Sequence, residues 1–423
     1  MTSTFASSRL GRRGFLAGLT GATVAPLLLS ACGADNDPAE AGKASLTSWV
    51  FGQKGAPALR AVLEGFTSAT GTEVEEGTFP YLQYLNQVVL KARGGNMKGV
   101  AHIDEEWLSA LASSGALMDL SKHVDTSLYP ETVTRGGQFN GVRYAMPWTQ
   151  SAIGMIANSE VLGSLGVDVS SVSTPEEFKS MLQAIHKADS SLVPYAPCTS
   201  VEQLKDMVPW MLSFGSKILD GQKVVLGDEG SIAAIEYWKG LLDEGLIQGG
   251  VVRDDARTLF AQKKAVIYDD APQAFGVVPP QSDDPSLGEK MLPMRRPSKA
   301  RPANLVWSQP LVAFDEEEST IALLKYLSTD QAALESMFEA SGQPPATLEG
   351  IAADWFAGNP FNKVWVETVA GDAVANPLWS FPSATAAQTL FNEAVEAALK
   401  GTMSASDAMK GATEGLTEML QKG

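Results

Sequence analysis

Ser45-Leu46-Thr47-Ser48-Trp49-Val50-Phe51 alternates and is rich in strand formers, and Gly52-Gln53-Lys54-Gly55 breaks it. Behind the break, Leu59, Val62, Leu63 and Phe66 recur at helical spacing through Thr70, and Gly71 ends that helix. Thr72-Glu73-Val74-Glu75-Glu76 reads as a second short strand. A second helix follows from about Tyr81 to Arg93, with Leu82, Leu85, Val88 and Val89 on one face. Strand, helix, strand, helix in this rhythm predicts a parallel sheet covered by helices.

The rhythm continues. Gly99-Val100-Ala101-His102-Ile103 predicts a third strand, and Trp107, Leu108, Leu111 and Ala112 a helix stopped by Gly115. Asn140-Gly141 is a hairpin turn signal. Ser151 to Ala157 reads as a buried strand. Ser173-Thr174-Pro175-Glu176-Glu177 is a helix start, with a capping hydroxyl, a proline at the first helical position and acids at the positive end of the dipole. Helices are expected at about 200–214, 229–244 and 255–262, and a strand at Lys264–Tyr268. The proline-rich stretch 279–303 reads mostly as loop. Asn304–Trp307 and Leu311–Phe314 read as two short extended pieces on either side of Pro310. Helices follow from Glu316 to Tyr326, after Thr329-Asp330, and at about 384–400 and 404–421.

At 423 residues the chain is too long for one ordinary core, so two lobes are expected. Hydrophobic residues at 44% and charged residues at 19% suit a folded soluble protein. With 32 basic and 49 acidic residues, net −17, the chain is a poor candidate for nucleic acid, which demands a basic face. Two cysteines build no disulfide framework, and three scattered histidines (His102, His123, His186) suggest neither a metal centre nor a triad. No cofactor or metal is expected. Cys198 reads as a buried small hydrophobe.

The first 32 residues read as an address. Arg9, Arg12 and Arg13 precede an apolar run from about Phe15 to Ala31, interrupted by Gly18, Gly21 and Pro26. Arg12-Arg13-Gly14-Phe15-Leu16 resembles a twin-arginine export signal. Leu29-Ser30-Ala31-Cys32 resembles a bacterial lipobox, which makes Cys32 the lipidation site. The small, acidic segment 33–43 reads as a flexible tether. The expected location is the outer face of a cell membrane, held there by lipid.

No nucleophile elbow, His-Glu-x-x-His or phosphate loop is present. Asp104-Glu105-Glu106 follows a strand and opens a helix, and Asp269-Asp270 follows another strand. Such acids either cap helices or face a cleft, because loops at the carboxyl ends of parallel strands carry ligand contacts. Nine tryptophans exceed what a core requires. Trp49, Trp148, Trp210, Trp307 and Trp379 lie in or beside strand ends and turns, and flat aromatic faces beside carboxylates suit a sugar.

Several segments, in order, resemble the extracellular solute-binding proteins of ATP-binding-cassette importers, in the sugar-binding group that includes maltose-binding protein. They are Leu46-Thr47-Ser48-Trp49; the helix from Trp107 to Gly115 with Asp119-Leu120; and Phe139-Asn140-Gly141-Val142-Arg143-Tyr144-Ala145-Met146-Pro147. Asn158 with Val161-Leu162, Thr174-Pro175-Glu176-Glu177-Phe178, Phe260 to Val266, and Leu323 to Leu327 before Thr329-Asp330-Gln331 follow. Arg143, Lys263 and Ala157 depart from the group's usual residues.

The resemblance implies an α/β fold of two periplasmic-binding-protein-like lobes (type II), each a mostly parallel sheet flanked by helices. It implies crossings near 148–152, 307–312 and 342–347. Lobe 1 is expected at 44–149 plus 311–343, and lobe 2 at 150–310 plus 344–423. The chain is expected to be a monomer that captures a carbohydrate and hands it to a membrane permease, with no catalysis. Placed by this pattern, the expected ligand contacts are Trp49, Gln53, Tyr81, Glu105, Trp148, Gln150, Ser151, Trp210, Asp269, Asp270, Trp307 and Trp379. Two alternatives stay open. The same fold with a phosphorylated or glycerol-based solute would favour a cleft with cations such as Lys54, Arg143 or Arg253. A secreted glycoside hydrolase would use two of the acids.

Overall fold

The computed structural model describes residues 43–53, 55–381 and 383–422. The segment read as an export signal, Cys32, residues 33–42 and Lys54 lie outside them. Gly42–Gly423 is a compact unit by its own contacts. Among the described residues, no helix is long and apolar enough to cross a membrane.

The opening rhythm folds as its pattern predicts. Strand β1 (Lys43–Thr47) leads through the short 3-10 turn Trp49–Gly52 into α1 (Ala56–Thr70). Leu59, Val62, Leu63 and Phe66 form the buried face of α1, and Gly71 closes it at φ 74°. Strand β2 (Glu73–Gly77), α2 (Tyr81–Arg93) and β3 (Val100–His102) follow. Strands β2 and β3 lie parallel to β1 on either side. Asn140 (φ 50°) and Gly141 (φ 80°) both take positive φ, as a two-residue hairpin requires.

The long strands β4 (Ala145–Asn158) and β8 (Asn304–Ala313) organise the rest, with β5 (Val193–Ala196), β6 (Ala265–Asp270), β7 (Met291–Met294) and β9 (Ala373–Val374). The nine strands run in the order β2-β1-β3-β8-β4-β6-β5, with β7 beside β4 and β9 beside β8. The parallel pairs are β1 with β2 and β3, β5 with β6, and β8 with β9. Every pair that β4 makes is antiparallel, and so is β8 with β3. The sheet is therefore mixed rather than mostly parallel, because β4 and β8 are the chain's crossings and run in opposite senses.

Strand β8 is one piece, not two. It passes through Pro310 at a register irregularity between Gln309 and Leu311, where a residue without N–H costs no ladder bond. The freed geometry is used: Pro310 O accepts from Ile103 N at 3.1 Å. Within 279–303, read as loop, Met291–Met294 pairs with β4 although Pro293 lies in the strand itself.

Two sets of apolar cores divide along the crossings. Residues 44–148 and 311–346 supply one set, including Leu46, Phe66, Val100, Trp148 and Leu324. Residues 152–305 and 361–416 supply the other, including Phe178, Trp210, Trp238, Phe260 and Phe391. Ala346 and Trp355 pack on the first core, so the chain returns to the second lobe later than residue 344.

Below the second lobe's cleft edge lies a buried ion pair. The Arg296 guanidinium, 1% exposed, meets Asp269 Oδ1, and Tyr195 donates to Asp269 Oδ2. Trp210 lies under the same guanidinium at 5.4 Å from its ring centroid. Replacing Arg296 by Met leaves the Asp269 carboxylate buried and uncompensated, and the expected loss is about 3–5 kcal/mol in urea unfolding. Adding Asp269→Asn to that variant should restore part of the loss. Equal stabilities for the single and double variants would contradict the pairing.

Candidate functional site

Three loops leave the carboxyl ends of β1, β2 and β3 on the same edge of the first lobe, the edge where such sheets bind ligands. Ser48 caps the turn after β1 by accepting from Val50 N at 3.2 Å, which sets Trp49 at the loop's start. Tyr84 of α2 donates to Thr47 O at 2.7 Å and pins α2 to the same place. Trp107 arrives on the turn after β3. Trp49 then meets Tyr81 (5.5 Å between centroids), Tyr84 (5.1 Å) and Trp107 (5.4 Å) edge to face, and stacks on His102 at 3.9 Å.

A hydrogen-bond chain runs through this cluster. Tyr81 donates to Asp104 Oδ2 at 2.5 Å, and Gln309 Nε2 donates to Asp104 Oδ1 at 2.9 Å. Gln309 Oε1 therefore accepts, from His102 Nε2 at 3.2 Å and from Gln343 Nε2 at 3.4 Å. His102 Nδ1 is left to accept from the Ser48 hydroxyl at 3.0 Å. This assignment needs a neutral imidazole, and burial pushes His102 down to about 3. Burial, then the neighbouring Glu106, raises the Asp104 carboxyl above its ordinary value.

The facing wall belongs to the second lobe. Strand β6 ends at Asp270, which takes a bidentate pair from Arg257 of α3 (Arg253–Ala261) at 2.7 and 2.8 Å. Arg253 binds Asp206 at 2.6 Å and also donates to the Asp269 carbonyl. Lys205 reaches across the cleft to Glu106 at 3.6 Å. The Tyr81 hydroxyl is pushed well above its usual range by burial and nearby acids, and Arg257 works against that rise from the other lobe. Beside the Glu106–Lys205 bridge lies a cavity of about 330 Å³ lined by Gln203, Gln388, Asn392, Thr389 and Glu393 among others. Asn376, behind the lining, donates Nδ2 to Gln388 Oε1 (2.7 Å), and Gln388 Nε2 donates to Asn392 Oδ1 (2.8 Å).

Of the residues expected from sequence, Trp49 and Asp270 are buried and Tyr81 is half-buried, with both Asp270 oxygens committed to Arg257. Trp307 lies opposite Ser151, and Ser308 opposite Gln150, on the adjacent crossings. Ser151 Oγ accepts from Trp365 Nε1 at 3.1 Å, and Gln150 Nε2 reaches Thr132 O at 3.4 Å. Trp307 is half-buried against the second core. Gln53 is exposed at the end of the Trp49 turn. Trp379 is half-buried, and its indole N–H has no hydrogen-bond partner among the described residues.

Three expectations are corrected. Trp148 is 2% exposed within the first core, edge-on to His102, and offers no free face. Trp210 is fully buried, its N–H donated to the Tyr195 hydroxyl at 3.1 Å. Asp269 is fully buried and committed to Arg296 and Tyr195. Glu105 is half-buried, accepts from Gly137 N at 3.1 Å and lies against Ser308 of β8. Arg143, weighed as a cleft cation, donates to the carbonyls of Thr134 and Gly136. Sequence reading missed His102, Gln309, Lys205 and Arg257. Asp104 and Glu106 flank Glu105 in the flagged acid cluster. Among the described residues, no group of three or more His, Cys, Asp or Glu side chains is placed to hold a metal.

His102 gives the site a measurable acid signature. The unfolded chain protonates it below about pH 6.5, whereas the fold resists until about pH 3. Its contribution is whole above pH 6.5 and falls by about 1.4 kcal/mol per pH unit beneath it. Urea unfolding at pH 7, 6, 5 and 4 should show the stability gap between wild type and His102→Gln shifting in the variant's favour by that slope. A gap independent of pH would refute the neutral, buried imidazole.

The chain matches the family described as bacterial extracellular solute-binding protein over residues 61–364. A protein of Brucella abortus strain 2308 that carries a binding-protein name is 23% identical over 273 residues, which is 60% of this chain. The match spans only 64% of that relative's length. Among solved structures, maltose-bound MalE3 of T. maritima superposes with a TM-score of 0.79 at 21% identity, over 89% of this chain and 100% of that one. The GacH receptor of Streptomyces glaucescens, solved unliganded and with acarbose, gives 0.80 at 18% identity, over 90% and 98%. UgpB of Mycobacterium tuberculosis, solved with glycerophosphocholine, gives 0.76 at 15% identity, over 90% and 99%. These likenesses establish the two-lobe fold, and the sequence match establishes the lineage: the chain belongs to the bacterial extracellular solute-binding protein family.

Proposed function

We propose that this protein is the substrate-capturing lipoprotein of an ATP-binding-cassette importer, taking a neutral, hydroxyl-rich solute, a mono- or oligosaccharide, between its lobes. It is exported, held at the membrane through Cys32, and hands its ligand to a permease without chemical change. Lobe 1 is built on residues 44–149 and on the chain from 311 past Ala346, and the ligand lies against the Asp104–Trp107 turn.

One observation carries the choice of a neutral ligand: the cleft's cations are each matched by a carboxylate of the protein itself. Arg257 is held by Asp270, Arg253 by Asp206, and Lys205 by Glu106. A phosphodiester needs donors whose charge is not already answered. Hydroxyls need paired donors and acceptors beside an apolar face, and Asp104, Glu106, Lys205 and the Trp49–Tyr81–Trp107 cluster supply both. A phosphodiester ligand, the second reading, draws support from Lys205 alone, whose bridge to Glu106 is long at 3.6 Å.

Thermal unfolding of the chain from Gly42 against mono- and oligosaccharides, glycerophosphocholine and amino acids tests the reading. A ligand at one hundred times its dissociation constant adds about 2.7 kcal/mol, a rise on the order of 5 °C. The expected result is a rise with a sugar and none with glycerophosphocholine; the reverse would overturn the sugar assignment and keep the receptor. With the sugar found, Asp104→Asn should weaken binding by roughly tenfold to a hundredfold, the range for a hydrogen bond to a charged group. Trp210→Phe should leave affinity unchanged.

A further inference from the structure

Away from the ion pairs, the two lobes touch backbone to backbone. Helix α4 (Gln331–Ser341) buries Ala333, Leu334 and Met337 in the first core and ends at Gly342, φ 69°. The turn Ala274–Val277 follows β6 and packs Ala274 and Phe275 into the second core. Gly276 of that turn lies against the end of α4: a Cβ there would stand 2.7 Å from Ser341 C, 2.8 Å from Gly342 N and 2.9 Å from Ser341 O. In return, a Cβ on Gly342 would stand 3.0 Å from Gly276 N and 3.1 Å from Gln273 O. The obstacles are main chain and cannot rotate aside as a side chain would.

The two glycines are needed for different reasons. Gly342 caps α4 in the left-handed region, so its own backbone favours glycine. Gly276 is not among the residues with positive φ. Nothing local excludes a side chain there, and a helical turn would gain from alanine. Only the opposite lobe excludes it. The contact lies six residues beyond Asp270 in the second lobe and close in sequence to Pro344, whose carbonyl accepts from Thr149 Oγ1 of β4 at 2.5 Å.

We propose that Gly276 and Gly342 form a closure seat, a contact free of side chains that lets the lobes meet, so that the size of residue 276 sets how readily the cleft closes. The inference goes beyond ligand capture and does not depend on which solute binds. A wedge at 276 lowers the population of the closed form, and apparent affinity falls by the same factor.

The test needs no ligand. Glu106→Cys with Lys205→Cys places one thiol on each side of the cleft, and Cys198 is buried. In the chain from Gly42, the rate of cross-linking by a short bismaleimide then reports closure. Gly276→Val should slow it by at least about tenfold. Gly411→Ala, where a Cβ meets nothing within 4 Å, should not change it. Gly276→Ala, the milder wedge, should fall between and serves if the valine variant does not fold. Equal rates in folded Gly276 variants would overturn the proposal, and so would a parent that never cross-links. Either failure leaves the receptor reading standing.

Discussion

The antiparallel pairing of β4 with β8 is the constraint on which the rest of the structure depends. Its register runs from Leu305 opposite Ile153 to Val312 opposite Ala145, so one hydrogen-bonded ribbon passes through both lobes. Each lobe hangs its own strands on that ribbon, β3 on one end and β6, β7 and β9 on the other. The two strands share ladder bonds on both sides of one irregularity, so the lobes are tied by the same ribbon. The irregularity at Gln309–Leu311 falls near its middle, where Pro310 has no N–H to offer.

That irregularity also places the polar chemistry. Gln309 leaves β8 at the bend and holds Asp104 from behind, while its carbonyl oxygen takes bonds from His102 and Gln343. The cleft carboxylate is thus braced by a crossing strand, and the brace requires a neutral histidine. Burial supplies that neutrality by penalising the imidazolium. On the other lobe, charges are settled in pairs: Arg257 with Asp270, Arg253 with Asp206, Arg296 with Asp269. An acidic protein can line its cleft with arginines without becoming an anion trap, provided each is answered by a carboxylate.

Local physics made much of the fold legible in the sequence. Helices α1 and α2 follow from apolar residues at helical spacing, and the helix at Pro175 from its capping box between Thr174 and Glu177. Strand direction was not legible, since a period of two is the same whichever way a strand runs. The site was legible in part. Trp49, Tyr81 and the acidic turn stand at strand ends, where a chain position marks a cleft position. Trp148 and Trp210 looked similar in sequence but fill cores. Burial is a property of what packs against a side chain, and no local pattern carries it.

The sequence by itself determined the elements, the family and the edge of the sheet where ligand chemistry gathers, because those depend on periodicity, capping and chain order. Only the tertiary structure decided which acids are free to face a ligand, which are consumed by a buried arginine, and that Gly276 meets Gly342. Those depend on residues far apart in the chain arriving within a few ångströms of each other, and the energy of burial, pairing or collision exists only once they do.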